Sequence, residues 1–174
     1  MLPVPFYSVH LLFINLVTDS LPAIAIGMEK STRNLLNEKP RNAKESILDA
    51  KTLKTIGVDG TLIAIATMTA YFIGLEQSHE LAATLAFATL CLARLFHGFN
   101  CRSHESIFRI GLLSNMYSIG AFVIGFILLN AILLLPQLNS LFMVTDITTQ
   151  QLWLIYLLGF IPTLIIQVVR VFKK

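Results

Sequence analysis

The sequence predicts an all-α membrane protein with five transmembrane helices, and three observations lead to this fold class. Of the 174 residues, 55% are hydrophobic and 13% are charged, whereas about 25% of the residues in a typical soluble domain are charged. Five apolar runs are each long enough to cross a bilayer, which takes roughly 20 residues. The lysines and arginines are concentrated in alternate connections between these runs. This composition excludes a disordered chain, an ordinary soluble enzyme and a nucleic-acid-binding protein.

The apolar runs predict one membrane domain over residues 1–174, with a 28-residue loop at 28–55 and shorter connections elsewhere. The predicted spans lie at about 6–27, 56–75, 81–99, 112–135 and 152–171. A short helix is expected in the second half of the loop, at 43–54. The first span is not expected to be a cleavable signal peptide, because no basic residue precedes it and polar residues lie at its centre.

The basic residues predict the orientation. Seven of the 13 lysines and arginines lie in the loop 28–55, two lie between the third and fourth spans, and three lie at the C-terminal end. The connections on the other side have none. Cytoplasmic connections of membrane proteins are rich in lysine and arginine, so we expect the N-terminus outside and the C-terminus in the cytoplasm. The remaining basic residue, Arg94, lies within the third span.

Polar residues form a cluster in the middle of the first span. At 100° per residue, Asn15, Thr18 and Asp19 lie within about 100° of one another on one helix face. A carboxylate in the middle of a bilayer costs at least about 2.5 kcal/mol, so Asp19 is expected to face protein or a wet cavity. Pro22 has no N–H to donate to the carbonyl of Thr18. We therefore expect the helix to kink or unwind at this point.

This cluster has two interpretations. Carboxylate, amide, hydroxyl and freed carbonyl oxygens suit Ca²⁺ or Na⁺, and transporters place ion sites at broken helices near the midplane. Alternatively, Asp19 is paired with a basic or hydroxyl side chain and holds helices together. The cluster offers fewer oxygens than the roughly 6–8 that Ca²⁺ takes. Because Asp59 is expected too near the cytoplasmic end of the second span to contribute, the missing ligands must come from elsewhere.

Three segments resemble P-type calcium-transporting ATPases of the sarcoplasmic-reticulum type and their bacterial relatives. The run 15–23, followed by Gly27-Met28-Glu29, resembles the sixth transmembrane helix of that family. Residues 38–41 resemble the cytoplasmic loop after it, and residues 96–103 resemble the cytoplasmic end of the eighth helix. The five spans would then be helices six to ten, so the resemblance covers essentially the whole chain.

The resemblance implies that Asn15, Thr18 and Asp19 are Ca²⁺ ligands in a bacterial plasma-membrane pump. It also implies that the remaining transmembrane helices and the phosphorylation domain of such a pump are partners of this chain. Arg94 stands where two-site pumps have a glutamate ligand, and a guanidinium has no lone pair with which to bind a cation. We therefore expect one Ca²⁺ per cycle, with Arg94 pairing with Asp19 when the ion leaves. Snorkelling of Arg94 towards the cytoplasm is the alternative that its position allows.

The sequence contains neither the DKTGT phosphorylation motif of P-type pumps nor a phosphate-binding glycine loop. ATP and Mg²⁺ are therefore expected to act only through domains outside this chain, which by itself is not expected to be catalytic. Two alternatives to the pump stay open. One is an ATP-independent channel or exchanger subunit that uses Asp19. The other is a structural membrane protein in which Asp19 and Arg94 simply form a pair.

Overall fold

The computed structural model describes residues 4–29, 49–103 and 106–172, and all regular structure in these ranges is helical. Five helices are long and apolar enough to cross a membrane, which confirms the predicted fold class. These first to fifth spans are Ser8–Gly27, Thr52–Leu75, His79–Asn100, Met116–Leu134 and Thr149–Phe172. Two shorter helices, Ile107–Ile110 and Pro136–Phe142, lie in the connections before and after the fourth span.

The helix that contains the second span begins at Ala50, earlier than the expected residue 56. Asp49 caps this helix, because its side chain accepts a hydrogen bond of 2.8 Å from the backbone N–H of Thr52. Residues 50–54, the last part of the short helix expected at 43–54, therefore form the first turn of the longer helix that contains the second span. Residues 43–48 of that expected helix lie outside the described residues.

The third span is the central helix of the bundle. Within its most apolar stretch, 72% of the residues are buried, compared with 33% or less in each of the other four spans. The fourth span approaches it closely at Gly125, where an added Cβ would lie 2.6 Å from the Leu95 side chain. The outer faces of the other spans carry exposed apolar side chains that suit contact with lipid, among them Leu16, Ile65 and Ile127.

Candidate cation site

The first span changes its helical winding in the middle. It is α-helical over Ser8–Phe13, π-helical over Ile14–Asp19 and α-helical again over Ser20–Gly27. The Thr18 hydroxyl donates to the Ile14 carbonyl at 2.9 Å, and the Ser20 hydroxyl donates to the Asn15 carbonyl at 2.8 Å. Two backbone carbonyls of the widened turn thus accept hydrogen bonds from side-chain hydroxyls. Single π-helical turns are rare and occur frequently at functional sites.

Pro22 lies in the first turn of the α-helical segment Ser20–Gly27, and the chain stays helical through it. The expected unwinding is therefore wrong, and the irregularity is a widened turn that ends before the proline. The first N–H groups of an α-helical segment have no partner within that segment, so a proline is tolerated there. Pro22 also lies against the third span, where a Cβ added to Gly98 would come within 3.2 Å of the Pro22 Cβ.

The structure brings two of the three predicted ligands together. Thr18 is buried, and Asp19 is partly exposed with 32% of its side chain accessible. Both line a cleft of about 770 Å³ whose walls come from the first, second and third spans. Asn15 is exposed and does not line this cleft.

Arg94 pairs with Asp19 across the first and third spans. The Arg94 Nε lies 2.8 Å from the Asp19 Oδ1, and 39% of the arginine side chain is exposed. The Arg94 guanidinium therefore has a carboxylate partner on the neighbouring first span. A cation that binds the Asp19 carboxylate at this oxygen has to displace Arg94. Both the one-ion hypothesis and the structural alternative predict a pair between Asp19 and Arg94, so this contact does not distinguish them.

The cleft also contains a second carboxylate, that of Asp59, which was expected to lie too near the cytoplasmic end of the second span to be a ligand. Asp59 of the second span is 8% exposed and lines the same cleft. The Arg170 Nη2 of the fifth span lies 3.9 Å from its Oδ2. Arg170 also donates hydrogen bonds of 2.7 Å to the carbonyls of Asn100 and Ser103. No sequence signal indicates this contact, because it depends on how the second and fifth spans pack.

Buried amides connect the third and fifth spans at the same end of the cleft. Asn100 donates to the Thr163 hydroxyl at 3.2 Å and accepts from the Gln167 amide at 2.7 Å. These bonds satisfy polar groups that would be costly to bury alone. Across the described ranges, no three His, Cys, Asp or Glu side chains converge as a metal site would require. The hydrogen bonds of Asn100 to Thr163 and Gln167 hold the third span against the fifth.

A third ion pair lies just beyond the first span. The Arg102 Nε and Nη2 each donate a 2.9 Å hydrogen bond to one oxygen of the Glu29 carboxylate. The Asn115 amide donates to the same carboxylate at 2.6 Å. The hydrogen bond from Arg102, reinforced by that from Asn115, lowers the pKa of Glu29 below its ordinary value. Glu29 belongs to the motif that carried the family resemblance, yet nothing in the sequence identifies its partners.

Similarity to known proteins shows the family to which this chain belongs. Residues 3–172 match the family described as "Cation transporting ATPase, C-terminus". A calcium-transporting ATPase of Bacillus subtilis is 36% identical over 168 residues, which cover 95% of this chain and 19% of the relative. A calcium-transporting ATPase of Listeria monocytogenes is 42% identical over 139 residues, which cover 79% of this chain and 16% of the relative. The human calcium-transporting ATPase type 2C member 1 is 28% identical over 178 residues, which cover 99% of this chain and 19% of the relative.

The chain thus spans less than a fifth of the length of these relatives. Its five membrane-capable helices and its bacterial relatives identify an integral plasma-membrane protein. The expected resemblance is confirmed, since the family match includes all five spans. The chain therefore belongs to the family formed by the C-terminal regions of cation-transporting ATPases.

Proposed function

We propose that this chain is the C-terminal membrane domain of an ATP-driven Ca²⁺ pump and supplies Asp19, Thr18 and Asn15 to its intramembrane cation site. One observation carries the proposal. The only carboxylate of the first span lies in a π-helical turn, beside a cleft, and is paired with an arginine. Two of the bacterial relatives are calcium-transporting ATPases, which supports Ca²⁺ as the transported ion.

The pair between Asp19 and Arg94 supports a mechanism of charge exchange. An unpaired carboxylate within a bilayer costs at least about 2.5 kcal/mol, so Asp19 needs a counter-charge when no cation is bound. Arg94 supplies that charge from the neighbouring helix at 2.8 Å. A bound Ca²⁺ replaces the guanidinium at the carboxylate, and the guanidinium returns when the ion leaves. Because Arg94 cannot itself be a ligand, the pump moves one Ca²⁺ per cycle.

The other Ca²⁺ ligands come from outside this chain. Ca²⁺ takes about 6–8 oxygens, and the cleft presents only the Thr18 hydroxyl and the Asp19 carboxylate near the π-helical turn. Asn15 lies on the exposed surface of the first span, where a further transmembrane helix of the pump can reach it. ATP and Mg²⁺ act through the nucleotide-binding and phosphorylation domains of that pump.

The first experiment measures ATP-driven uptake of Ca²⁺ into inside-out vesicles by the pump that carries this membrane domain. Asp19→Asn keeps the shape of the side chain and removes its charge, so uptake is expected to be lost. Glu80→Gln is a matched control, because it removes an exposed carboxylate from the first turn of the third span, at the end farther from Arg94. Normal uptake by Asp19→Asn would contradict the proposed role and favour a purely structural pair.

The number of ions per cycle is tested with Arg94→Glu. This change puts a carboxylate where two-site pumps have one, so the ratio of Ca²⁺ transported to ATP hydrolysed is expected to rise from one to two. A ratio that stays at one in Arg94→Glu would count against the role proposed for Arg94.

A second candidate is an ATP-independent channel or exchanger subunit, which the open cleft beside Asp19 favours. Calorimetric titration of the 174-residue chain with Ca²⁺ in detergent separates the two candidates. No binding at millimolar Ca²⁺ supports a site completed by other helices. Tight binding that Asp19→Asn abolishes would mean that the five spans form a complete site, and the exchanger or channel would then be the better description.

A further inference from the structure

The first and third spans are joined by a second polar contact that the proposed cation site does not use. It consists of Glu29, Arg102 and Asn115, and it is called the end clamp below. We propose that the end clamp holds the first span against the third, so that Asp19 can exchange Arg94 for a cation while the two helices stay together. The part of this proposal that concerns the cation rests on the proposed function. Glu29 and Arg102 are thus positioning residues for Asp19.

Arg102 uses its whole guanidinium within the end clamp. Its two bonds to Glu29 form the bidentate arrangement that gives arginine–carboxylate pairs their strength and directionality. Its Nη1 donates to the Leu112 carbonyl at 3.2 Å, and its Nη2 also donates to the Ser114 hydroxyl. The Arg102 side chain is completely buried. Each of the three guanidinium nitrogens therefore has a hydrogen-bond acceptor.

Asn115 connects the end clamp to the fourth span and back to the first. Its amide nitrogen donates to the Glu29 carboxylate and, at 3.0 Å, to the Ala25 carbonyl in the last turn of the first span. Its amide oxygen caps the fourth span by accepting from the backbone N–H groups of Tyr117 and Ser118. The end clamp therefore fixes the end of the first span to two other helices through both side chain and backbone.

The contacts between the two spans follow one another in the same direction along both helices. Asp19 meets Arg94, Pro22 lies against Gly98, and the end clamp closes the series. The segment Ser20–Gly27 is an uninterrupted helix of eight residues between Asp19 and the end clamp. A rigid helix that is fixed at one end restricts the position of Asp19, which stands immediately before its other end.

The test uses Cys91 as a reporter of the contact between the two spans. Cys91 is fully buried in the third span, within the same apolar core as Phe13 and Ile14 of the first span. The only other cysteine, Cys101, is exposed and is replaced by serine in every variant. The rate at which N-ethylmaleimide labels Cys91 in the detergent-solubilised 174-residue chain then measures how often the first span separates from the third.

Glu29→Gln is expected to raise this labelling rate by roughly 2- to 30-fold, the range of couplings transmitted through packed networks. Arg102→Lys should act in the same direction, because lysine keeps the charge but cannot form the bidentate contact. Arg94→Gln should raise the rate less than Glu29→Gln does. Glu76→Gln, which removes an exposed carboxylate at the far end of the second span, should leave the rate unchanged.

Two results would overturn the proposal. One is a labelling rate in Glu29→Gln equal to that of the parent chain. The other is a labelling rate in Arg94→Gln that equals or exceeds the rate in Glu29→Gln. Monodispersity is checked for each variant by size-exclusion chromatography. If Glu29→Gln does not give monodisperse protein, Arg102→Lys decides the matter by the same criteria.

A second readout separates positioning from a merely structural role. In Ca²⁺ uptake by the pump, Glu29→Gln should raise the Ca²⁺ concentration for half-maximal uptake by roughly 2- to 30-fold. Loss of folded protein alone would lower maximal uptake and leave this concentration unchanged, which would contradict the proposal. If the parent pump moves no Ca²⁺, the proposed function fails, and the labelling experiment still decides whether the end clamp holds the spans together.

Discussion

Two ion pairs join the first and third spans, and their surroundings differ. Asp19 and Arg94 meet through one close contact beside the cleft, and about a third or more of each side chain is exposed. Glu29 and Arg102 meet through two parallel hydrogen bonds, with the arginine completely buried and the carboxylate 26% exposed.

The difference indicates which pair can open. The side chains of Asp19 and Arg94 are both open to the cleft and share one close contact, so a cation that enters the cleft can reach the carboxylate and compete with Arg94. Removing one partner of a buried pair costs about 3–5 kcal/mol, because the other charge stays buried without compensation. The same two helices are therefore joined by one ion pair that a cation can open, Asp19–Arg94, and by one that stays closed, Glu29–Arg102.

The largest effect is expected from breaking the buried pair at Arg102. Arg102→Met keeps much of the side-chain volume but leaves Asn115 as the one remaining partner of the Glu29 carboxylate among the described residues. Because Glu29 is partly exposed, the loss of unfolding free energy should be about 2–3 kcal/mol, below the range for a fully buried pair. Reversible unfolding of the 174-residue chain in mixed micelles measures this value. A loss below about 0.5 kcal/mol would mean that the two pairs do not differ as described.

The next largest effect is a pH dependence that belongs to Glu29. Its pKa is lowered in the folded chain by the hydrogen bonds from Arg102 and Asn115, so folding favours its ionised form. Its contribution to stability is complete above the ordinary glutamate pKa of about 4.3. It is lost as the pH falls through the lowered folded value.

This dependence is measured as the difference in unfolding free energy between the parent chain and Glu29→Gln from pH 7 to pH 3. The difference should be about 1–2 kcal/mol at pH 7 and should narrow below about pH 4.3. The other carboxylates titrate in both proteins, so their contributions cancel in the comparison. A difference that stays constant over this range would contradict the assignment to Glu29.

A smaller effect is expected between the two pairs, at Gly98. Alanine there would place a methyl group 3.2 Å from the Pro22 Cβ, and the rigid proline ring cannot turn away. The cost of this contact opposes a gain in helix propensity of about 1 kcal/mol, so the net change in stability should stay within about 1 kcal/mol. In Ca²⁺ uptake, however, Gly98→Ala should weaken apparent affinity, because it moves the helix that carries Asp19. An unchanged apparent affinity for Ca²⁺ would show that the distance between the first and third spans at Gly98 does not affect the cation site.

The smallest effect on stability is expected at the exposed pair. Arg94→Gln should lower the unfolding free energy by less than Arg102→Met does, because Asp19 stays partly open to the cleft, and the loss should shrink further in molar salt because exposed charges are screened. Unfolding in mixed micelles at low and high salt measures both. A loss as large as that of Arg102→Met would remove the distinction between an exchangeable and a permanent pair.

Several parts of the site were predictable because they depend on the local sequence. Five apolar runs predict the five spans from length alone, and a carboxylate among them identifies Asp19 as a residue that needs a partner. The sequence also places Arg94 inside a span, where a charge is costly without one. The face shared by Asn15 and Asp19 was predicted with an α-helical period. The wider π-helical turn has a different period, and the structure leaves Asn15 exposed.

The sequence by itself determined the number of spans, the location of the polar turn and the presence of Asp19 within the first span and of Arg94 within the third. The family resemblance led us to expect the pair between Asp19 and Arg94, but tertiary structure alone decided the other two ion pairs. Glu29 and Arg102 are 73 residues apart, and Asp59 meets Arg170 from a different helix. Hydrophobic periodicity is a property of one segment, so it identifies a buried face without naming the partner. Pairing depends on how helices pack, and that packing placed one ion pair beside a cleft and enclosed the other.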